Sequence, residues 1–249
     1  MMKPLTSEQM VGIWEDQREL KNLMGKICYT FLLKKEKEMT DSFWSRRPDI
    51  CLGTNDGYYD GAEAVRGYYD AIHQHTVEAT AFLKCAFPDR MGALSEEEQF
   101  GAGSMDVKPM DTAVIEIAGD GETAKGIWYS RGTYNDLTPQ GPLSFWSLGV
   151  FACDFVREDG QWKVWHMLHL TDIEVPGGRS WGDPAPEPYP DLPEFAGAQP
   201  FTPPAPNRPC KLRETYYPGR PFAPLPDLPV PYETFAETFS YGCDKEAGI

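Results

Sequence analysis

Four histidines, His73, His75, His166 and His169, are the first residues to weigh for chemistry near neutral pH, since imidazole alone titrates there unperturbed. His166 and His169 lie in Gln161 to Glu174, a stretch whose apolar residues alternate with a period of two. Alternation puts Trp162, Val164, His166, Leu168 and Leu170 on one face of a strand, and Lys163, Trp165, Met167 and His169 on the other. Lys163 adjoins a turn and belongs in water. The His166 face is therefore expected to point inward, with His166 as a general acid or base and His169 at a subunit interface. His73 and His75 fall in a helical stretch, where residues two apart diverge by about 200°. They cannot share a face, and no metal is expected there or elsewhere. One of them, taken as His73, is expected at a pocket mouth with Tyr58 and Tyr69.

The strands that flank these residues suggest a pocket wall. Ala124, Gly126, Trp128 and Ser130 share one face, so small residues there would leave room for a ligand beside Trp128 and Ser130. Ser147, Gly149, Phe151 and Cys153 share a face of the next strand. No glycine-rich phosphate loop and no Gly-x-Ser-x-Gly occurs, so nucleotide and serine-hydrolase chemistry lack a motif.

The elements that must position these residues come in a definite order. Helical spacing is expected over Ser7 to Gly25, with a second helix over Lys26 to Phe43 in which Lys34 to Glu38 is a solvated run. A short strand at 49–53 and a third helix from Ala62 to about Phe82 follow, then an irregular loop from Pro88 to Gly103. The period then changes to two. Strands are expected at Thr112–Ala118, Thr123–Tyr134, Ser144–Arg157 and Gln161–Glu174, with Asp120-Gly121 and Asp159-Gly160 as hairpin turns. Helices first and an antiparallel meander second define an α+β layout.

Of 23 prolines, only six precede residue 176 and seventeen fall from Pro176 to Pro231. The chain thus divides into a folded region, 1–175, and an extended proline-rich arm, 176–249. Aromatic residues recur through the arm, among them Tyr216, Tyr232, Phe235 and Phe239, which disordered tails usually lack. They are expected to dock on a folded surface, that of a neighbouring subunit, giving a homo-oligomer with arm exchange. A net charge of −15 argues against nucleic acid as a partner. No run reaches the roughly 18–20 apolar residues of a membrane span. The N-terminus has no export signal, so six scattered cysteines are expected as reduced thiols in a cytoplasmic protein.

Three segments carry a resemblance. Tyr59-Asp60-Gly61-Ala62-Glu63-Ala64-Val65-Arg66, the hairpin from Val114 to Trp128 and the hairpin from Asp154 to His166 together resemble the SnoaL-like branch of the nuclear transport factor 2 superfamily. The resemblance implies a cone of helices on a curved sheet around a deep apolar pocket, working without metal or organic cofactor. Scytalone dehydratase, bile acid 7α-dehydratase, ketosteroid isomerase and polyketide cyclases use such a pocket for proton abstraction beside a carbonyl, or for loss of water. It also implies a pocket tyrosine at Tyr29, here a hydrogen-bond donor to a developing oxyanion. Phe151 falls where relatives carry a tyrosine. The family aspartate five residues after Tyr29 is Lys34 here, and Lys108 stands at or near the family histidine. Lys108 is then a candidate base or electrophile. The expected function is a lyase or isomerase acting on a hydrophobic oxygenated ring compound. The alternative is a protein that binds or scaffolds with the same cavity and does no chemistry.

Overall fold

A computed structural model describes residues 6–138, 141–178, 201–210, 216 and 226–242. Helix α1 spans Ser7–Leu32 and opens on a capping box in which Thr6 and Gln9 satisfy each other's backbone. It runs straight through Gly25, the expected break. A mid-helix glycine costs about 1 kcal/mol. Leu20, Met24, Ile27 and Phe31, at i, i+4, i+7 and i+11, are all buried, each worth about 1.5–3 kcal/mol. Packing wins over propensity, and the helix ends instead at Leu32, just before Lys34 takes the left-handed region at φ 57°. A one-turn 3₁₀ helix follows at Glu36–Glu38, then α2 at Met39–Phe43.

Strands β1 (Cys51–Thr54) and β2 (Tyr58–Asp60) lead into α3, Gly61–Ala86. The expected irregular loop contains two short helices, α4 (Pro88–Gly92) and α5 (Glu96–Gln99), the latter capped by Ser95. Strands β3 (Met105–Val107), β4 (Asp111–Ile117), β5 (Thr123–Thr138), β6 (Gly141–Glu158) and β7 (Gln161–Pro176) complete the sheet. The β6–β7 turn holds Asp159 and Gly160 at φ 49° and 75°, the mirror-image turn that matches strand twist. Strand order is β2-β1-β7-β6-β5-β3, with β4 also paired to β5. All pairs are antiparallel except β1 with β7, which is parallel.

One face of the sheet packs on α1 and α3 and makes the main core, which includes Trp128, Phe151, Phe155, Trp162 and Val164. The opposite face carries Ile127, Val150, Ala152, Leu168 and Leu170. Later parts of the arm lie on this second face, while Phe201 packs edge-on against Tyr68 and beside His75 of α3. Residues 201–210 run beside β2, where the Tyr58 amide donates to Arg208 and the Asn207 amide donates to Tyr58. Residues 226–242 lie across the middle of the sheet, and Tyr241 joins its apolar cluster. Phe235 and Phe239 also pack there, beside Tyr241. Other aromatic residues of the arm, Trp181, Tyr189 and Phe195, lie outside the described residues.

The thiol expectation is corrected at one position. Cys51 is disulfide-bonded, whereas Cys28, Cys85, Cys153 and Cys210 are free. No helix among the described residues is long and apolar enough to cross a membrane.

Candidate functional site

The decisive local feature lies in β7. Phe155 pairs with Val164, yet Asp154 pairs with His166, so Trp165 is an extra residue in that strand. A bulge of one residue exchanges the two faces beyond it. Trp162 and Val164 face the helices, but His166, Leu168 and Leu170 face the arm. Met167 and His169 face the helices. The expected orientation of both histidines is therefore reversed: His169 enters the cone, and His166 leaves it.

His169 stacks on Phe151, its cross-strand partner, with ring centroids 4.1 Å apart and planes at 12°. Near it stand Asp106 on β3 and Lys108 just beyond, two apart and so on one side of the chain. Lys108 Nζ donates to both carboxylate oxygens of Asp106 and lies 4.9 Å from the centre of the Phe31 ring. Asp106, Lys108, His169 and Tyr68 are deep in the molecule, yet each keeps partial solvent-accessible surface. Their mutual electrostatic influence places them in one neighbourhood.

The charges in this neighbourhood are unequal. Burial, with Lys108 adding to it, pushes the imidazole of His169 down to about 3, while Asp106 pulls the other way. His169 is neutral at ordinary pH. Burial works against ionisation of Asp106, but Lys108 outweighs it and holds the carboxyl below its usual range. Glu36 is different. It is 1% exposed, its Oε2 has no hydrogen-bond partner, and burial raises its pKa despite Lys34 and Lys108. Burial also pushes the Tyr68 hydroxyl and the Cys28 thiol up, Cys28 lying against the Lys108 backbone. The interior thus holds a carboxylate, an ammonium, a neutral imidazole and a reluctant second carboxyl.

The other expected residues fall as follows. Lys108 and Phe151 belong to this cluster. Tyr29 is 63% exposed on the outside of α1. A donor to a buried oxyanion cannot act from there, because its helix turns Ile27 and Phe31 inward instead. Trp128 and Ser130 are buried on the cone face of β5, but the space above Gly126 is filled by the Trp128 ring, 2.3 Å from where a Cβ would sit. The small residue makes room for the indole and not for a ligand. Tyr69 is core, tilted against Phe31 and Trp44. Tyr58 faces the arm, with the Arg208 guanidinium 4.7 Å from its ring. His73 packs near Phe100 with its Nδ1 buried and unpartnered, and burial lowers its pKa.

His166 belongs to a separate polar cluster under the arm. Its Nδ1 meets Asp154 Oδ2 at 2.9 Å and Ser240 Oγ at 3.2 Å, while Nε2 faces the Asp49 carbonyl at 3.2 Å. A serine nucleophile needs its histidine nitrogen opposite the one the aspartate holds. Here serine and aspartate share one nitrogen, so the three residues are no triad. Among the described residues, no group of three His, Cys, Asp or Glu side chains is arranged to hold a metal.

Asp106 and Glu36 escaped the sequence reading. Asp106 had a usable signal, its two-residue spacing to Lys108. Glu36 had none, because it sits in a run of five charged residues and turns inward only through the left-handed residue at Lys34.

An α+β cone with a polar cluster inside its apolar wall is the class of protein defined by this geometry. Residues 13–168 match the family model described as the SnoaL-like domain, and the chain belongs to that family. No curated protein sequence matches it. Solved structures that resemble it include a type 2 hexachlorocyclohexane dehydrochlorinase, LinA, at 13% identity and TM-score 0.47, covering 70% of this chain and 97% of that one. The LinA-type3 dehydrochlorinase from Novosphingobium barchaimii gives 13% identity and TM-score 0.46, with 68% and 95% covered. A Mycobacterium tuberculosis protein of unknown function gives 16% identity and TM-score 0.45, with 66% and 76% covered.

Proposed function

We propose that the chain is a cofactor-independent lyase or isomerase that moves a proton next to a carbonyl in a hydrophobic, oxygenated ring compound. The observation that carries this reading is His169, neutral and stacked on Phe151, beside the Asp106–Lys108 ion pair. In the resting site Lys108 opposes a proton on His169 and Asp106 favours it. A substrate carbonyl near Lys108 changes that balance. As His169 removes the proton from the adjacent carbon, the electron pair moves to the carbonyl oxygen, which Lys108 then neutralises. Lys108 ceases to oppose the imidazolium, and Asp106 remains to support it. Basicity at His169 and negative charge on oxygen rise together, which is stabilisation specific to the transition state. From the enolate, return of the proton to another carbon isomerises the substrate, and loss of a hydroxyl with that proton dehydrates it. Phe31 and Tyr68 supply apolar surface for a ring compound, and Phe151 backs the His169 ring from behind.

The test is untargeted mass spectrometry of a small-molecule extract incubated with the protein or with its His169→Ala variant. A product lighter by one water, formed only by the parent, supports a dehydratase, and a new isobaric peak supports an isomerase. A compound recovered intact with the protein, and no product, overturns the catalytic reading in favour of binding.

A further inference from the structure

In the charged run Lys34-Lys35-Glu36-Lys37-Glu38 one side chain alone is fully buried. Lys35, Lys37 and Glu38 are exposed, whereas Glu36 is 1% exposed and has no hydrogen-bond partner on Oε2. The turn that sends it inward is fixed from two sides. The Lys35 amide donates to the Thr30 carbonyl at 3.0 Å, and Gly101 sits on Lys34, where a Cβ would come within 3.1 Å of Cγ. The one-turn helix that carries Glu36 packs on α3. A buried carboxyl with unused hydrogen-bonding capacity costs stability, and an amide of the same shape would not carry the cost of ionisation. Packing therefore gives no reason for an acid at this position. The cluster around His169 does. Lys108 and Asp106 act electrostatically on Glu36, and the same two groups act on His169. Lys108 is itself bonded to Asp106, which leaves the Glu36 carboxyl free to meet another group.

We propose that Glu36 is the acid that delivers a proton to a hydroxyl leaving the substrate, which makes the reaction of the cone a dehydration and its substrate a ring ketone with a hydroxyl on the carbon β to the carbonyl. The inference rests on the reading of His169 as the base. An isomerisation needs only a base that returns its proton to another carbon. Hydroxide is a poor leaving group away from bulk water, so a dehydration needs an acid as well. His169 takes the proton from the α carbon, and the electron pair of that bond passes into the enolate opposite Lys108. The pair then forms the carbon–carbon double bond, the β C–O bond breaks, and the departing oxygen takes the proton of Glu36. Water and an α,β-unsaturated ketone leave. The imidazolium and the carboxylate return to their starting forms when one proton passes from His169 to Glu36 through water. Burial raises the Glu36 carboxyl above its usual range, so the proton is kept to higher pH than on an exposed glutamate.

Two probes separate the steps on the full chain: cyclohexanone, which only exchanges its α hydrogens, and cyclohexanone with a β hydroxyl, which also loses water. Exchange in heavy water is read by mass spectrometry and enone formation by ultraviolet absorbance. His169→Ala should lose both activities. Glu36→Gln should lose water elimination by at least about a hundredfold and exchange by less than about threefold, and the retained exchange reports an intact fold. In the parent, water elimination should decline as pH rises through the Glu36 value, a limb that exchange lacks. Undiminished elimination by Glu36→Gln, or an equal fall in both activities, overturns the role of Glu36 and leaves the reading of the cone standing. A parent that catalyses neither step overturns that reading and this inference with it.

Discussion

His169 and His166, three residues apart on β7, stand on opposite sides of one sheet, His169 inside and His166 outside. His169 lies flat against Phe151 at 4.1 Å inside the cone, and His166 bonds to Asp154 beneath the arm. Unbroken alternation from Trp162 and Val164 would point His166 inward and His169 outward, and the extra residue Trp165 reverses both. Changes at the two positions should therefore have different signatures. His169→Ala should lower kcat by at least about a hundredfold, the low end for loss of a general acid or base. His166→Ala should act on thermal stability and hydrogen-exchange protection of the arm, with the proton-transfer step retained. Steady-state kinetics beside thermal melts check this, and equal kinetic losses would refute the separation.

Lys108 holds the Asp106 carboxyl ionised and opposes a proton on His169. Lys108→Met should then raise the titration midpoint of His169 above about 3 and bring Asp106 upward as well. The same change should cost about ten- to a hundredfold in rate, since the oxyanion loses its counter-charge. Imidazole shifts followed by nuclear magnetic resonance across pH decide the first part. An unmoved His169 midpoint would separate Lys108 from the site.

Glu36 is buried with one oxygen unpartnered, and its carboxyl is raised above the usual range. The unfolded chain gives up this proton first, so folding stability falls as pH rises from about 4.5 through the folded value. Glu36→Gln lacks that loss. The variant should match the parent near pH 4 and exceed it near pH 7, by about 1.4 kcal/mol for each unit of upward displacement. Urea melts at the two pH values measure the difference, and equal stability at both would contradict it.

Asp154 behaves in the opposite sense. Burial opposes its ionisation, but His166 and Lys125 more than compensate and hold it below the ordinary carboxylate range. Its contribution is complete above the unfolded value of about 3.8 and is lost as pH falls through the folded value below that. Hydrogen-exchange protection of the arm should persist down to about pH 4 and fail at lower pH. At pH 7, Asp154→Ala leaves Lys125 buried without its partner and should cost about 3–5 kcal/mol. Lys125→Met removes the opposite charge but leaves Asp154 with the His166, Ser240 and Tyr241 contacts, so it should cost less. Denaturant midpoints of the two variants give the comparison.

Much of the fold was legible because its signals are local. Aspartate before glycine marks a tight turn whatever surrounds it, and both expected hairpins form at Asp120-Gly121 and Asp159-Gly160. A four-residue apolar stripe identifies the buried side of α1, although the stripe overrode Gly25 and moved the helix end to Leu32. The site was less legible. Lys108 was found through a resemblance and Phe151 through strand alternation. Alternation alone sets His169 on the wrong face, the resemblance puts the exposed Tyr29 in the interior, and the charge run hides the buried Glu36. Each of these depends on where a neighbouring element places a bulge, a helix face or a turn.

The sequence by itself determined that helices precede an antiparallel meander, that the domain is SnoaL-like, and that a proline-rich, aromatic arm follows it. Periodicity and turn chemistry are properties of short segments, and each residue carries them alone. Only the tertiary structure decided which histidine faces the cone and what the arm covers. A bulge is defined by the pairing of β7 with β6, and the Lys125–Asp154–His166 row exists only when three strands and residues 232–242 meet.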